Sequence, residues 1–471
     1  MFEMVDVVAA QGAVPPEAVA REVACLAQVV ADPGVPLFER FQVSVRLGRL
    51  VEAVQAQVLC DLARQHGWDE TDQYDMDEAR WVRCGADPDA QVDEDLPLEV
   101  AVAMGVGVNT ATCLLQDVIN LQARHPRTWT MMTQGQVALY RARKVAEACS
   151  QVDLDKTETG LVDAQISPVL ASLSWGRVLN KLRATVMRVA PGKVEAYQKR
   201  IRSGRFVYRK ACPENPSTSL VSAQMDTADA LFLDATIGLL ADRLEDPDCD
   251  VDDVGRRRAK ALGILASPAQ ALLLLGVHTR RGLPDDVDTG QLMKQAAALV
   301  SSGRGHPVAP KAQVYVHLYS DTLTYGDAVV RVEDAGPLMV KDLKDVLGGC
   351  HIRITPVIHI NDADEPSTDA YEIPDAVREH VILRDGFEVF PWSNRSARHL
   401  DMDHTDPYQQ GLPGQTRPSN LGPLTRRAHR AKTHCGWQLD QPEPGLFLWR
   451  TRRGQLIAVD NQGTHPYPQR C

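Results

Sequence analysis

Several things are missing from this 471-residue chain. It has no run of about twenty apolar residues, so no transmembrane helix is expected. Met1-Phe2-Glu3-Met4-Val5-Asp6 is not a basic region followed by an apolar stretch, so a secretory signal is not expected either. Its ten cysteines include no C-x-x-C pair. Nothing in that spacing resembles a disulfide scaffold or a thiolate zinc framework, and reduced thiols, as in a cytoplasmic protein, are the simplest reading. Positive charge is also short. The net charge of −11 rules out a surface coated in basic residues. No short-period repeat and no low-complexity tract interrupts the chain.

The charge that is present is uneven. Arg384 to Gly454 holds eleven Lys or Arg against seven Asp or Glu, a local net of +4, which leaves −15 for the remainder. A basic module on an acidic chain suits work on nucleic acid better than the overall charge suggests. The same segment carries the most specific chemistry in the chain. Asp403-His404, Asn420 and His429 follow one another within about thirty residues, with Arg426, Arg427, Arg430, Lys432 and His434 around the last of them. Hydrolysis of a phosphodiester needs an activated water and neutralised phosphate charge. A neutral imidazole such as that of His404 can take the proton of water. Asp403 is a hard oxygen donor for a divalent ion, and His429 can complete a sparse site with open positions. Asn420 both donates and accepts, so it can tie down the loop behind His404. Asp401 faces the same side of an extended strand as Asp403 and is read as a structural hydrogen-bonding residue. The basic side chains and His434 are candidate phosphate contacts.

Local pattern places these residues on a short strand from Arg398 to His404, a loop around Gly411–Gly414, an extended segment, and then a helix. Ser419 or Asn420 is the expected helix cap, and Cys435-Gly436 the expected end.

Asp403-His404, Asn420 and His429 resemble the signature of the HNH endonucleases. Gly414-Gln415-Thr416-Arg417, Asn420-Leu421-Gly422-Pro423-Leu424, Arg430-Ala431-Lys432-Thr433-His434 and Gln441-Pro442-Glu443-Pro444-Gly445 extend the likeness. Together they resemble an actinobacterial group that joins an HNH domain to a helical domain of unknown function 222. The resemblance spans roughly residues 36 to 465 and is sharp after residue 371. It implies a ββα-metal fold and metal-dependent cleavage of DNA. Asp403 and His429 would then be metal ligands, His404 the general base and Asn420 its orienting residue. The implied cofactor is one divalent ion (Mg, Mn, Ni or Zn). Many HNH proteins also hold a structural zinc knuckle, but the positions aligned with its ligands are Glu388, Ser393, Thr425 and Ala428. No structural zinc is therefore expected. Such a metal stabilises small domains by ~10–16 kcal/mol, so Phe387, Phe390, Trp392, Trp437, Phe447 and Trp449 are expected to supply a replacement core.

The expected architecture is a mainly α N-terminal region, a small α/β segment and a C-terminal ββα-metal (HNH-like) domain. Its parts are 1–35, a tail or extra helix; 36–300, helical; 301–370, α/β; and 371–471, endonuclease-like. A fragment from about Asp375 onward is expected to fold without zinc. Helices are expected over Phe38–His66, on both sides of Pro126, over Ala223–Leu244 and through Arg256–Leu265. Asp72–Pro97 reads as an acidic loop, and strands are expected at Gln313–Leu318, Ala328–Val332 and His351–Ile360.

Glu99–Thr110 reads either as a helix-turn-helix or as a structural helical hairpin. The hairpin is favoured because Asn109–Gln122 holds no Lys or Arg. Lys199-Arg200, Arg202, Arg205, Arg209-Lys210 and Arg256–Arg258 are further basic clusters, read as solvated faces or as phosphate contacts, and Tyr197, Phe206 and Tyr208 interleave the first. The expected partners are DNA and a second copy bound through the helical region, with no membrane. The alternative function is a catalytically inactive nucleic-acid-binding protein that keeps the HNH fold.

Overall fold

The computed structural model describes residues 16–67, 81–87, 90–212, 218–244, 253–275, 288–302, 316–317, 329–332, 336–339 and 365–466. The chain is mostly helical. It divides into two compact units: residues 1–199 with 358–471, and residues 200–357.

The first unit begins with α1 (Pro16–Ala31) and α2 (Leu37–Gln65). A small hairpin follows, β1 (Trp81–Arg83) and β2 (Gln91–Asp93), where the sequence reads as an acidic loop. Next come α3 (Leu96–Met104), α4 (Val108–Arg124), α5 (Pro126–Thr133), α6 (Leu139–Gln151), α7 (Lys156–Leu170), α8 (Trp175–Val189) and α9 (Pro191–Ser203), in whose last turn the second unit begins. Spacing explains which faces turn inward. Leu114, Leu115, Val118 and Leu121 of α4 fall on one stripe and join a core with Ala53, Ala56 and Cys60 of α2. Val162, Ile166 and Leu170 of α7 meet Val178, Leu182 and Val186 of α8 in a second core. Helix ends are set by polar chemistry. Asp155 and Glu158 form a reciprocal capping box on α7. Pro126 starts α5, and the buried Asp163 carboxylate of α7 accepts from Arg127 N (2.8 Å), Thr128 N (3.1 Å) and Thr128 Oγ1 (2.6 Å). Gly105, at φ +65°, ends α3 in the left-handed region.

The second unit holds β3 (Phe206–Ala211) paired antiparallel with β4 (Ser219–Gln224). It continues with α10 (Thr227–Asp242), α11 (Val254–Ile264), α12 (Pro268–Leu275) and α13 (Thr289–Ser301). Then come β5 (Val316–His317), β6 (Val329–Val332) and β7 (Gly336–Met339), in one antiparallel sheet. The helix expected from Ala223 starts at Thr227, because Ala223 and Gln224 pair with Val207 and Phe206. The strand expected at His351–Ile360 lies outside the described residues.

The C-terminal part of the first unit opens with the Asp375–Asp385 helix. A 3₁₀ turn at Ala397–His399 precedes β8 (Asp401–His404), so the strand is shorter than its sequence suggests. Arg398 is drawn out of it by a forked ion pair to Glu379 (2.9 and 3.0 Å). β9 (Leu421–Leu424) pairs antiparallel with β8, setting Asp403 opposite Gly422 and His404 opposite Leu421. The Arg426–His434 helix follows directly. Its cap is Thr425, whose hydroxyl accepts from Ala428 N (3.2 Å), and not Ser419 or Asn420, which precede β9. It ends as expected at Cys435, with Gly436 left-handed. A four-stranded meander completes the chain: β10 (Gln438–Glu443), β11 (Leu446–Arg450), β12 (Leu456–Asp460) and β13 (Gly463–Pro466).

The core under this hairpin and helix is shared. Phe390, Trp437, Phe447 and Trp449 are buried there with Leu98 and Val102 of α3. Phe387 and Trp392, expected in the same core, are 48% and 42% exposed. Phe387 bridges Ser396 in an irregular turn and leaves the inside to Glu388. Trp392 takes φ +60° and lies over Gly105.

Candidate active site

β8, β9 and the Arg426–His434 helix bring Asp403 and His429 together. The Nε2 atom of His429 is 3.1 Å from Asp403 Oδ1. The other carboxylate oxygen, Oδ2, accepts from Lys432 Nζ at 2.6 Å, and the same ammonium donates to the His404 main-chain carbonyl. His429 and Lys432 are three residues apart on one helix face, so both reach one carboxylate.

His404 is buried at 7% exposure, its ring packed against Tyr371 and Tyr408 with centroids 5.7 Å away in each case. Its Nε2 lies 2.9 Å from Thr416 Oγ1. Thr416 has one hydroxyl proton, and that proton goes to the Ala370 carbonyl at 2.6 Å. The hydroxyl must therefore accept from His404, which places the ring proton on Nε2 and the lone pair on Nδ1. Burial pushes the imidazole pKa below its ordinary value; the nearby Asp403 charge opposes this and Lys432 adds to it. The neutral ring, able to accept a proton, is the form present at neutral pH.

Asn420 works on the loop rather than on the ring. Its Oδ1 accepts from Thr405 Oγ1 (2.9 Å) and Asp406 N (2.8 Å), and its Nδ2 donates to Gln415 O (3.0 Å). These bonds close the 405–420 loop, and that closure brings Thr416 against His404. Arg384 braces the next segment, donating to Pro418 O (2.6 Å) and Leu421 O (2.8 Å) while forking onto Asp385. Burial pushes the Asp385 carboxyl up, opposed by that guanidinium. Thr416 and Arg384 carry no signal of these roles in the sequence, because both act on residues that only the folded loop brings near.

The candidate phosphate contacts separate into two groups. Arg426 is exposed, 3.5 Å from the likewise exposed Asp401, and His434 is exposed. The others face protein. Arg430 forks onto Glu94 of the N-terminal region at 2.6 and 3.0 Å, Lys432 holds Asp403, and Arg427 donates to Thr112 Oγ1 at 3.3 Å. Asp95 accepts from Trp437 Nε1 beside them.

The residues aligned with knuckle ligands also meet in space. The buried Glu388 carboxylate accepts from Ser393 Oγ (2.6 Å) and Thr425 N (2.8 Å), while Thr425 caps the helix through Ala428 N. One carboxylate thus joins the Glu388–Ser393 turn to the start of the Arg426–His434 helix. This hydrogen-bonded set borders a cavity of about 500 Å³, lined also by Val108, Asn109, Trp392, Arg395 and Arg427.

The donor set at Asp403 and His429 fits a divalent ion. Two donors about 2.1 Å from one ion and at right angles lie about 3 Å apart, close to the separation seen here. Among the described residues no group of three or more His, Cys, Asp or Glu that could hold a metal gathers, so any ion here would take Asp403 and His429 as its two donors of these types. No single helix among them is long and apolar enough to cross a membrane; α3 and α4 pass only as a pair, and that pair is bent by 109°. No protein-family model, curated protein or solved structure matches this chain.

Proposed function

We propose that this protein is a metal-dependent endonuclease that hydrolyses phosphodiester bonds of DNA at a ββα, HNH-type site. One observation carries the reading. A hairpin strand and the helix after it converge Asp403 and His429 to 3.1 Å, and the adjacent His404 is held through Nε2 with Nδ1 left to accept a proton. In this reading Asp403 and His429 hold one divalent ion, which when bound neutralises phosphate charge and assists the leaving oxygen. His404 takes the proton of the attacking water at Nδ1, a role worth about 10²–10⁴-fold in rate. Thr416 keeps the ring in the required tautomer, and Asn420 keeps Thr416 in place. Lys432 fixes the Asp403 carboxylate from the side away from His429. Arg426 and His434 are exposed on the same helix, where backbone phosphates can reach them.

A second reading is favoured by Lys432 itself. Its ammonium already neutralises Asp403, as it would in a nucleic-acid-binding protein that has given up turnover. The two readings part in a plasmid assay. The purified chain is incubated with supercoiled DNA and Mg²⁺, Mn²⁺, Ni²⁺ or Zn²⁺, beside His404→Ala and a chelator. The first reading expects nicking by the parent alone and only with metal. Equal nicking by His404→Ala removes the general base, and DNA binding without nicking in any metal selects the second reading.

A further inference from the structure

The hairpin β3–β4 has no place in the site just described, and it is exposed on both faces. Phe206, Val207, Tyr208, Leu220 and Val221 are 44%, 71%, 51%, 51% and 58% exposed. A two-stranded hairpin is marginal unless something covers it. Its register sorts the two faces. Phe206, Tyr208 and Lys210 share one face with their partners Gln224, Ser222 and Leu220. Val207 and Arg209 share the other with Ala223 and Val221.

The first face is chemically distinct. The Phe206 and Tyr208 rings stack on each other with centroids 5.3 Å apart and planes at 27°, leaving the outer side of the pair as an aromatic face. Ser222 and Gln224 stand across the strand as hydrogen-bonding groups. Lys210 closes the row, with no hydrogen-bond or ion-pair partner among the described residues. Residues 200–210 contain Arg200, Arg202, Arg205, Arg209 and Lys210 and no acid, on a chain whose net charge is −11. Arg205 is balanced by Asp226 at 2.5 Å, and Arg209 donates to Ser219 Oγ at 2.9 Å.

We infer that this face binds single-stranded nucleic acid, with a base stacked on the outer side of the Phe206–Tyr208 pair and the backbone tracked by Lys210. Aromatic platforms bind bases of any sequence because every base has a π-face, and cations beside them follow the phosphates. A duplex keeps its base faces covered, so the surface selects unpaired strands. This shares with the proposed function only that nucleic acid is the partner. Binding here does not require cleavage at His404.

The test uses the full chain carrying His404→Ala, with chelator present, so that turnover plays no part. The probes are a fluorescein-labelled single strand of about twenty nucleotides, longer than one such site, and its duplex. Phe206→Ala/Tyr208→Ala should weaken single-strand binding by about tenfold to a hundredfold and duplex binding far less. Phe206→Trp/Tyr208→Trp should retain single-strand binding. Lys210→Gln should reduce the slope of log affinity against log salt by about 0.7. Val221→Asp, on the opposite face, is the control for self-association, with mass read by light scattering. Unchanged single-strand affinity in the double alanine variant overturns the proposal. So does a double alanine variant that changes the mass of the particle as Val221→Asp does, because the hairpin would then be a surface between copies.

Discussion

Leu98 tests how the C-terminal part of the chain is stabilised. It lies in α3, some three hundred residues before the sheet it packs against, and is 1% exposed among Phe390, Trp437 and Trp449. Leu98→Ala removes three buried carbons from a core that aromatic rings cannot close over. Such truncations cost about 2–5 kcal/mol. At 1.4 kcal/mol per factor of ten, that raises the open population by about thirty-fold to several thousand-fold. Hydrogen exchange read by mass spectrometry on peptides can locate the loss. Amides of β10, β11 and β12 should exchange faster in the variant, together with those of α3. Those of α7 and α8, whose core is separate, should keep parent protection. Unchanged exchange in the sheet would falsify the shared core, and equal acceleration in α7 and α8 would show that the loss is not local. The same reasoning revises the expectation for a fragment from Asp375 onward. Without α3 it lacks Leu98 and Val102, and it leaves Trp437 and Arg430 without Asp95 and Glu94. That fragment should lack the near-ultraviolet dichroism of a packed Trp437–Trp449 pair.

Three other predictions follow from single side chains. Thr416→Val leaves His404 Nε2–H and the Ala370 carbonyl unpaired, so it should cost about 1–3 kcal/mol in urea unfolding and lower nicking, while Thr416→Ser restores both; parent-like nicking by the valine variant would dismiss the tautomer assignment. Gly422→Ala puts a Cβ 2.9 Å from the Phe447 ring and 3.0 Å from Val389 Cγ2, an overpacking cost of about 1–3 kcal/mol, read as a lower melting temperature; parent stability would mean that the ring moves aside freely. The third concerns pH. Burial, against the Trp437 hydrogen bond, pushes Asp95 up to about 7, so the folded state holds its proton while the unfolded state loses one near 3.8. Stability from Asp95 therefore falls as pH rises from about 4 to 7. Burial pushes His125 down to about 4, opposed by Asp163, so its contribution rises with pH between about 4 and 6.5. The two slopes oppose each other in the parent. Asp95→Asn minus parent should rise across pH 4 to 7, and His125→Gln minus parent should fall across pH 4 to 6.5; flat difference curves would refute the neutral forms of these two buried groups.

The candidate site shows what a sequence can and cannot carry. Asp403, His404, Asn420 and His429 could be singled out because few residue types suit ligand and base chemistry, and the short elements between them bring Asp403 and His429 to 3.1 Å. Their partners were not. Thr416 is one hydroxyl in a loop, and only closure of that loop by Asn420 brings it to His404. Arg430 reads as a phosphate contact on a basic helix until Glu94 meets it. The cap of that helix was misplaced because Leu421–Leu424 carries no alternation to mark a strand, being buried at every position.

Local chemistry settled much of the rest. An apolar stripe at helical spacing identified α2, Pro126 divided α4 from α5, and Gly436 ended the Arg426–His434 helix, because each depends on a few neighbouring residues. Tertiary structure decided what depends on distant ones. It put α3 into the C-terminal core, turned Phe387 and Trp392 outward, and joined Glu388 to Ser393 and Thr425. It also consumed three of the five candidate phosphate contacts in protein contacts of their own. Burial and ion pairing are properties of two surfaces together, and a chain read one residue after another shows only one surface at a time.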